Sequence, residues 1–206
     1  ENAPLYERAF GYRDIQNQLP NLPETRFGIA SGTKFFTALG IGRLIDQGRL
    51  ELATEVGELS PDYAGFINPR ATIQHLLTHT SGIYDYYDEE IEQDFDHFFV
   101  SIPWYHLETP SDYWPLFQGQ VAKFQPGERF SYSNGGYVFL GLLIEKITGQ
   151  LFRDFMQEQL FQVAHMPRTG FYALNNLPAN TAVGYLEDRE TSNIYNLPIR
   201  GGGDGG

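Results

Sequence analysis

Ser31 and Lys34 stand three residues apart at the start of a predicted helix, at the end of the run Phe27 to Lys34. Residues at this spacing share one helix face and lie one turn apart, so an amine is placed beside a hydroxyl. This is the S-x-x-K arrangement of a serine nucleophile with a lysine partner. The serine would also meet the positive end of the helix dipole, which favours developing negative charge. The alternative is a helix-capping serine followed by a solvated lysine.

A second polar group, Tyr132-Ser133-Asn134, directly precedes a strongly apolar helix that we predict from Gly136 to Thr148. Side chains in that position can project into the floor of a cleft. A phenol can accept or donate a proton beside a cation, and an amide can orient both an amine and a carbonyl group. The alternative is a buried tyrosine followed by an asparagine that caps the helix.

The elements around Ser31 must hold it at the surface. We predict a hairpin of two short strands, Tyr6–Tyr12 and Thr25–Ala30, joined by a polar connection. The helix that begins at Ser31 has its regular apolar run over Phe35–Gln47, and Gly48 is a suitable residue to end it.

Further elements follow along the chain. Thr72 is predicted to cap a helix over Ile73–His79, and another helix is predicted over Leu151–Phe161. From Met166 onward the pattern indicates short strands and loops, with Thr181–Leu186 as the clearest strand.

Residues 84–120 have a different composition. Six acidic side chains lie between Asp85 and Asp94, and an aromatic-rich run follows. This stretch could form the wall of a cleft, or it could be a solvated acidic loop followed by irregular core helices, and the second interpretation is favoured because aromatic residues more often fill cores. The aromatic residues are Phe95, Phe98, Phe99, Trp104, Tyr105, Tyr113, Trp114 and Phe117.

The overall composition excludes several classes of function. The 206 residues suit one large domain or two small ones, and the formal net charge of −12 argues against nucleic acid or an anionic membrane as partner. No apolar run approaches the roughly 20 residues of a membrane span. Because the chain has no cysteine, disulfides, thiolate zinc sites and cysteine nucleophiles are excluded, while the compartment stays open. We expect a small-molecule or peptide substrate.

Four blocks of the chain, in the expected order, resemble the serine beta-lactamase and penicillin-binding-protein superfamily. Within it, the chain is most similar to the class C branch with the related D-aminopeptidases, DD-peptidases and esterases. The blocks are Arg26–Lys34 with Leu44–Leu50, Ile73–Gly82, Pro126-Gly127, and Phe130–Asn134, and the similarity continues through Gly149.

The resemblance implies an α/β (α+β) fold of the beta-lactamase/transpeptidase type, in which helices flank an antiparallel sheet and an all-helical lobe lies beside it. Residues 1–30 and 166–206 would belong to the sheet region. Residues 31–165 would form the mainly helical lobe that carries both motifs, with the cleft between the two parts.

The resemblance also implies roles for the polar residues. Ser31 would attack a carbonyl group and form an acyl-enzyme with Lys34 as proton partner, and Tyr132 would carry the proton to the leaving group. Asn134 would position the substrate and Lys34. A charged ammonium cannot accept a proton, so either Lys34 is deprotonated by its surroundings or Tyr132 serves as the base, and the sequence leaves both open. The substrate would be a D-amino peptide, an ester or a beta-lactam, with no cofactor and no metal.

The family's third motif, a Lys or His followed by a small residue and Gly, does not occur after Tyr132. It would contribute a strand N–H to the oxyanion hole beside the Ser31 N–H. The predicted first strand has already begun at Leu5, and the given sequence ends in the glycine-rich segment Gly201–Gly206. Both features suggest a piece of a longer chain. We therefore count the missing C-terminal part of the same protein as a partner. Two alternatives stay open, a non-catalytic penicillin-recognising homologue and an inactive fragment.

Two other site types are disfavoured. His75 and His79 have the spacing of metal ligands, but Leu76 stands where the H-E-x-x-H motif has its glutamate. We expect a capping or hydrogen-bonded role for both histidines instead. Gly28 to Gly32 misses the G-x-S-x-G elbow of α/β-hydrolases, because one residue too many precedes the serine.

Overall fold

A computed structural model describes residues 6–59, 61–63, 65–92, 94, 98–173, 176–185 and 203. Its strands and α-helices, in chain order, are β1 (Tyr12–Asp14), β2 (Leu19–Pro20), α1 (Thr33–Asp46), α2 (Val56–Leu59), α3 (Ile73–Leu77), α4 (Trp114–Phe117), α5 (Asn134–Thr148) and α6 (Phe152–Met156). Short 3-10 turns form at Ala30–Gly32, Pro61–Tyr63, Trp104–His106 and Pro110–Tyr113. No helix within these described ranges is long and apolar enough to cross a membrane.

Helix α1 packs closely against α5 and α6 and carries the first motif. Gly40 makes this approach possible, because a Cβ at this position would lie 2.9 Å from Met156 Sδ and 3.1 Å from Ile144 Cδ1. The helix predicted from the apolar pattern is confirmed, although its α-helical part begins at Thr33 and Ser31 lies in the preceding 3-10 turn. The helix therefore places its buried face against the core and its first turn at the site.

Helix α5 is the central buried helix of the fold. Its apolar side chains, including Val138, Leu140 and Leu143, are completely buried. The prediction of this helix is confirmed with a start two residues earlier, at Asn134. Gly149, whose φ is +72°, ends the helix in the left-handed conformation that glycine adopts without strain.

Helix α3 begins with the predicted cap. The Thr72 side chain accepts from the His75 N–H, and His75 Nδ1 accepts from the Thr72 N–H, which satisfies two N–H groups of the helix start. The helix ends at Leu77, earlier than predicted, and the chain then turns sharply at Gly82, whose φ is +67°. Shortly after this turn, Asp85 contacts the first main-chain N–H groups of α5.

The predicted helix over Leu151–Phe161 is confirmed as α6 followed by a wider π-helical turn at Gln157–Phe161.

The predicted hairpin of Tyr6–Tyr12 with Thr25–Ala30 is wrong. The antiparallel pair is β1 with β2, within the segment predicted to be the polar connection. Asp14 closes its turn by accepting from the Asn17 main-chain N–H at 2.9 Å, so a shorter loop forms than the apolar pattern suggested.

The N-terminal segment contacts the later part of the chain through Arg26. Its main chain forms an isolated parallel bridge with Thr181. The predicted strand Thr181–Leu186 is not a continuous strand over the described residues 181–185, where only isolated bridge positions occur, and Leu186 lies outside the described residues. The Arg26 guanidinium also donates to the main-chain oxygens of Arg168 at 3.1 Å and Ala179 at 2.9 Å. These bonds join residues near 26 to residues near 180.

Part of the aromatic stretch fills the core, as favoured from composition, but Tyr105 is 55% exposed. Tyr113 and Phe117 are buried, and Trp114 packs edge-on against Phe66. Phe99, in contrast, is 81% exposed. Two of the named aromatic side chains, those of Phe95 and Trp104, lie outside the described part of the structure. Of the glycine-rich end, only Gly203 is described.

Candidate active site

Lys34 joins the N-terminal ends of the two main helices. Its Nζ donates to Ser31 Oγ at 3.0 Å and to Asn134 Oδ1 at 2.8 Å. The Lys34 side chain is only 6% exposed, whereas Ser31 is exposed. A hydroxyl accessible to a substrate is therefore in contact with a buried amine, and that amine is fixed by an amide from the other helix.

Tyr132 completes the predicted group. Lys34 Nζ lies 5.0 Å from the centre of the Tyr132 ring and 5.8 Å from the centre of the Tyr137 ring. Aromatic faces and amide oxygens are the neighbours that suit an ammonium group. The structure thus brings the four predicted site residues together, and their roles stay predictions.

The backbone before Ser31 adopts an unusual conformation. Ala30 has a φ of +44°, in the left-handed region that residues with a Cβ rarely enter. The Gly32 N–H donates to the Ile29 oxygen at 2.8 Å and closes the turn. The sequence gives no sign of this, because alanine is not a residue typical of left-handed turns.

Asp85 holds the start of α5 in place. Its carboxylate accepts from the main-chain N–H of Asn134 at 2.7 Å and of Gly135 at 2.9 Å, and it also accepts from the Tyr87 N–H at 3.2 Å. Asp85 is 4% exposed, so its assignment to a solvated acidic loop is wrong. The unpaired N–H groups and the positive dipole end of α5 explain why a carboxylate is buried here.

The amide of Asn134 is fixed in one orientation. Its Nδ2 donates to the Tyr87 main-chain oxygen at 3.1 Å and is 3.4 Å from Glu89 Oε1, so its Oδ1 is left to face Lys34. The sequence allowed Asn134 to be the helix cap, but the cap is Ser133, whose Oγ accepts from the Gly136 N–H at 2.9 Å. Asn134 is thereby free of a capping role.

Both histidines of the metal-like pair have hydrogen-bonding roles, as expected. His75 takes part in the cap of α3, and His79 Nδ1 accepts from the Ser133 main-chain N–H at 3.0 Å. Burial and the nearby Lys34 charge lower the pKa of His79 to about 4. Within the described residues, no three histidine or acidic side chains are grouped to hold a metal ion.

Charged residues connect the acidic segment after Asp85 with residues 123–131. Lys123 Nζ lies 2.6 Å from Asp88 Oδ2 and donates to Ser131 Oγ at 2.9 Å. Arg129 binds both carboxylate oxygens of Glu90, and this contact lowers the pKa of Glu90 to about 2. The acidic segment after Asp85 is therefore tied to the chain that leads into Tyr132.

Comparison with protein families places the chain among known sequences. A family model described as Beta-lactamase matches residues 1–205. Penicillin-binding protein 4* of Bacillus subtilis (strain 168) is 34% identical over 199 residues, which cover 94% of this chain and 42% of that protein. The chain thus spans less than half the length of this relative.

Solved structures show the same arrangement of elements. A penicillin binding protein from Bacillus halodurans superposes with a TM-score of 0.88 at 44% identity, over 96% of this chain and 60% of that one. The D-amino acid amidase from Ochrobactrum anthropi SV3, complexed with L-phenylalanine amide, gives a TM-score of 0.77 at 25% identity, over 98% and 58% of the two chains.

Proposed function

The chain belongs to the beta-lactamase family and has its α+β fold, and from this premise we propose that it acts as a serine hydrolase through Ser31. The observation that supports this proposal is the hydrogen-bonded series Ser31 Oγ, Lys34 Nζ and Asn134 Oδ1. Such a contact between a nucleophile and an amine that is itself oriented by a third group is what covalent catalysis requires.

The proposed first step is acylation. Ser31 Oγ bonds to the carbonyl carbon of an amide or ester, and the hydroxyl proton leaves to a base. The negative charge forms on the carbonyl oxygen near the Ser31 N–H at the start of α1, where the helix dipole favours it. The bond to the amine or alcohol then breaks, and the leaving group departs with the proton. Water attacks the acyl-serine, releases the acid and restores the hydroxyl.

We assign the role of base to Tyr132. Lys34 donates to two oxygens and faces two aromatic rings, and these contacts suit its charged form, which cannot accept a proton. Tyr132, whose ring centre lies 5.0 Å from Lys34 Nζ, is the other group of the motif that can accept the proton. Lys34 then places a positive charge beside the proton acceptor Tyr132, and the Asn134 amide oxygen orients Lys34.

The proposed substrates are amides and esters, with a D-amino acid amide or peptide, an ester and a beta-lactam as the chemical choices. The D-amino acid amidase relative supports the first of these. The second N–H of the oxyanion hole is proposed to come from the family's Lys/His–small–Gly strand, which does not occur between Tyr132 and Gly206.

Product formation from these three substrate types, measured on the full-length natural protein and its Ser31→Ala variant, tests the proposal. We expect turnover of at least one type and a loss of about a thousandfold or more in Ser31→Ala. One equivalent of product followed by a stop would instead identify a covalent binder without turnover, the penicillin-recognising alternative. Equal rates in the two proteins would rule out Ser31 as the nucleophile.

A further inference from the structure

His79 contacts the segment that carries Tyr132 at three successive residues. Its main-chain oxygen accepts from the Ser131 N–H at 2.9 Å, and its Nδ1 accepts from the Ser133 N–H at 3.0 Å. Its ring lies between them against Tyr132, with a centroid distance of 4.5 Å and an angle of 30° between the planes. His79 therefore holds the main chain on either side of Tyr132 and also contacts one face of the Tyr132 ring.

The hydrogen bond defines the state of the imidazole. A ring nitrogen that accepts from a main-chain N–H must carry its lone pair, so His79 is neutral and its proton is on Nε2. Protonation would turn Nδ1 into a donor that faces another donor, the Ser133 N–H. The bond beside Tyr132 would then be lost.

The charged and titratable groups around His79 favour the same neutral state. Lys34 on α1 contributes its charge to the low pKa of His79. On the other sides lie the rings of Tyr132, of Tyr137 on α5 at 5.1 Å, and of Phe130 at 5.7 Å. A second cation among these groups would be opposed by Lys34 and by burial.

We propose that neutral His79 is a positioning residue that holds Tyr132 in its catalytic place by means of the Ser133 N–H bond and the ring contact. This inference rests on the proposed function, because it assigns His79 a part in the same acylation step. His79 does not touch the reacting atoms in this account. It acts through Tyr132.

The first consequence is an acid limit to acylation. As the pH falls through about 4, His79 becomes protonated, the bond to Ser133 breaks and Tyr132 loses its support. Above that range His79 stays neutral and does not change the rate. The rate at which a fluorophosphonate phosphonylates Ser31 with release of fluoride, measured against pH, should therefore fall on the acid side together with protonation of this imidazole.

Two variants of similar side-chain size differ in the hydrogen-bond acceptor, although leucine, unlike asparagine, is also strained at this backbone conformation. His79→Asn keeps an acceptor near Nδ1 and suits the backbone, because His79 has a φ of +57° and asparagine tolerates that region. His79→Leu removes the acceptor. We expect the acylation rate of His79→Leu to be about 10- to 100-fold below that of His79→Asn. Thermal unfolding of both variants shows how much of the difference in rate comes from a loss of folded protein. Neither variant should show the histidine-dependent fall in rate at acid pH.

Nitrogen-15 NMR of the wild-type imidazole gives a readout that needs no activity. We expect an unprotonated Nδ1 at neutral pH and a shift of the Tyr132 ring signals as His79 titrates. A proton on Nδ1, titration near the ordinary value without any response from Tyr132, or equal rates in the Asn and Leu variants would overturn the inference. If the wild type is not acylated at all, the proposed function fails, and the NMR result alone decides whether His79 positions Tyr132.

Discussion

At the scale of single residues, the candidate site depends on a buried cation with fixed neighbours. Lys34 is placed by Ser31 and by Asn134, and Asn134 is placed in turn by Asp85. Each contact involves a polar atom in a largely buried setting, where an unmet hydrogen bond is costly. The orientation of the reacting groups is thus built into the folded chain before any substrate arrives.

Tyr132→Phe tests the assignment of the base. The change keeps the ring that contacts His79 and Lys34 but removes the phenol oxygen, so we expect the acylation rate to fall by about 10²- to 10⁴-fold. Tyr137→Phe is the matched control, because it also removes one phenol oxygen near Lys34, a group that donates to the Leu77 oxygen at 3.0 Å. We expect the control to lose less than about tenfold. Similar losses in both variants would contradict the assignment.

Asp85→Asn tests the support of α5. The amide places one N–H group against main-chain donors that now bind a carboxylate, so we expect the free energy of unfolding to fall by about 1–3 kcal/mol. Urea unfolding measures this loss. Asp46→Asn, at an exposed position in α1, is the control and should change stability by no more than about 0.5 kcal/mol. An unchanged unfolding midpoint for Asp85→Asn would contradict the role given to this carboxylate.

Much of the site could be predicted at this scale, and one part could not. Ser31, Lys34, Tyr132 and Asn134 were found from residue type, spacing and family resemblance, and the structure brings them together. Asp85 was missed because it stands among other acidic residues, a pattern that indicates solvent exposure. Only the fold shows that the open N–H groups of α5 lie beside it.

At the scale of elements, the site forms where the starts of α1 and α5 meet. The chain reaches this point through the turn after α3, where Gly82 approaches Phe124 so closely that a Cβ would lie 2.1 Å from its main-chain oxygen. The same turn accepts a hydrogen bond from the Lys123 N–H at 2.7 Å. The segment from α3 to α5 is therefore held by main-chain contacts.

Gly82→Ala tests this approach, and Gly48→Ala is its matched control. Both glycines have a φ of +67°, but no atom lies within 4 Å of a Cβ at Gly48. We expect Gly48→Ala to cost about 1–2 kcal/mol of unfolding free energy from backbone strain alone. Gly82→Ala should cost about 3 kcal/mol or more, because strain and overlap add. Equal losses by urea unfolding would show that the close approach does not hold this turn.

The long helices α1 and α5 were predictable because their apolar residues recur with helical spacing and glycines mark their ends, as Gly48 and Gly149 do. The four-residue helices α2 and α4 were not predicted, because they are too short to show that spacing. The strands were not. β1 has three residues and β2 has two, and elements so short show no alternation of apolar and polar side chains. The turn at Asp14 decides their pairing.

At the scale of the whole molecule, we propose that residues 1–30 and 166–206 form one region beside the helical part 31–165. The support is the set of bonds around Arg26, whose main chain and guanidinium both reach residues near 180. Main-chain bonds of this kind have no side-chain signature, so the sequence could not predict their register.

Arg26→Met tests the contact between these segments. Loss of the two guanidinium hydrogen bonds should lower the free energy of unfolding by about 1–3 kcal/mol. It should also speed hydrogen exchange at Ala182, whose N–H donates to the Arg26 oxygen at 2.8 Å. Arg8→Met, at an exposed position, is the control and should leave both quantities nearly unchanged. Fast exchange at Ala182 in the wild type would contradict the proposed joining of the two segments, and normal protection in Arg26→Met would show that the guanidinium bonds do not contribute to it.

The most direct test of the central claim is the location of the covalent adduct. The full-length natural protein is treated with a fluorophosphonate and with a penicillin, digested, and mapped by mass spectrometry. We predict an adduct on Ser31, formed much more slowly in Lys34→Met because the nucleophile loses its amine partner. An adduct on a different residue, or no adduct with either reagent, would contradict the claim that Ser31 and Lys34 form the reactive centre.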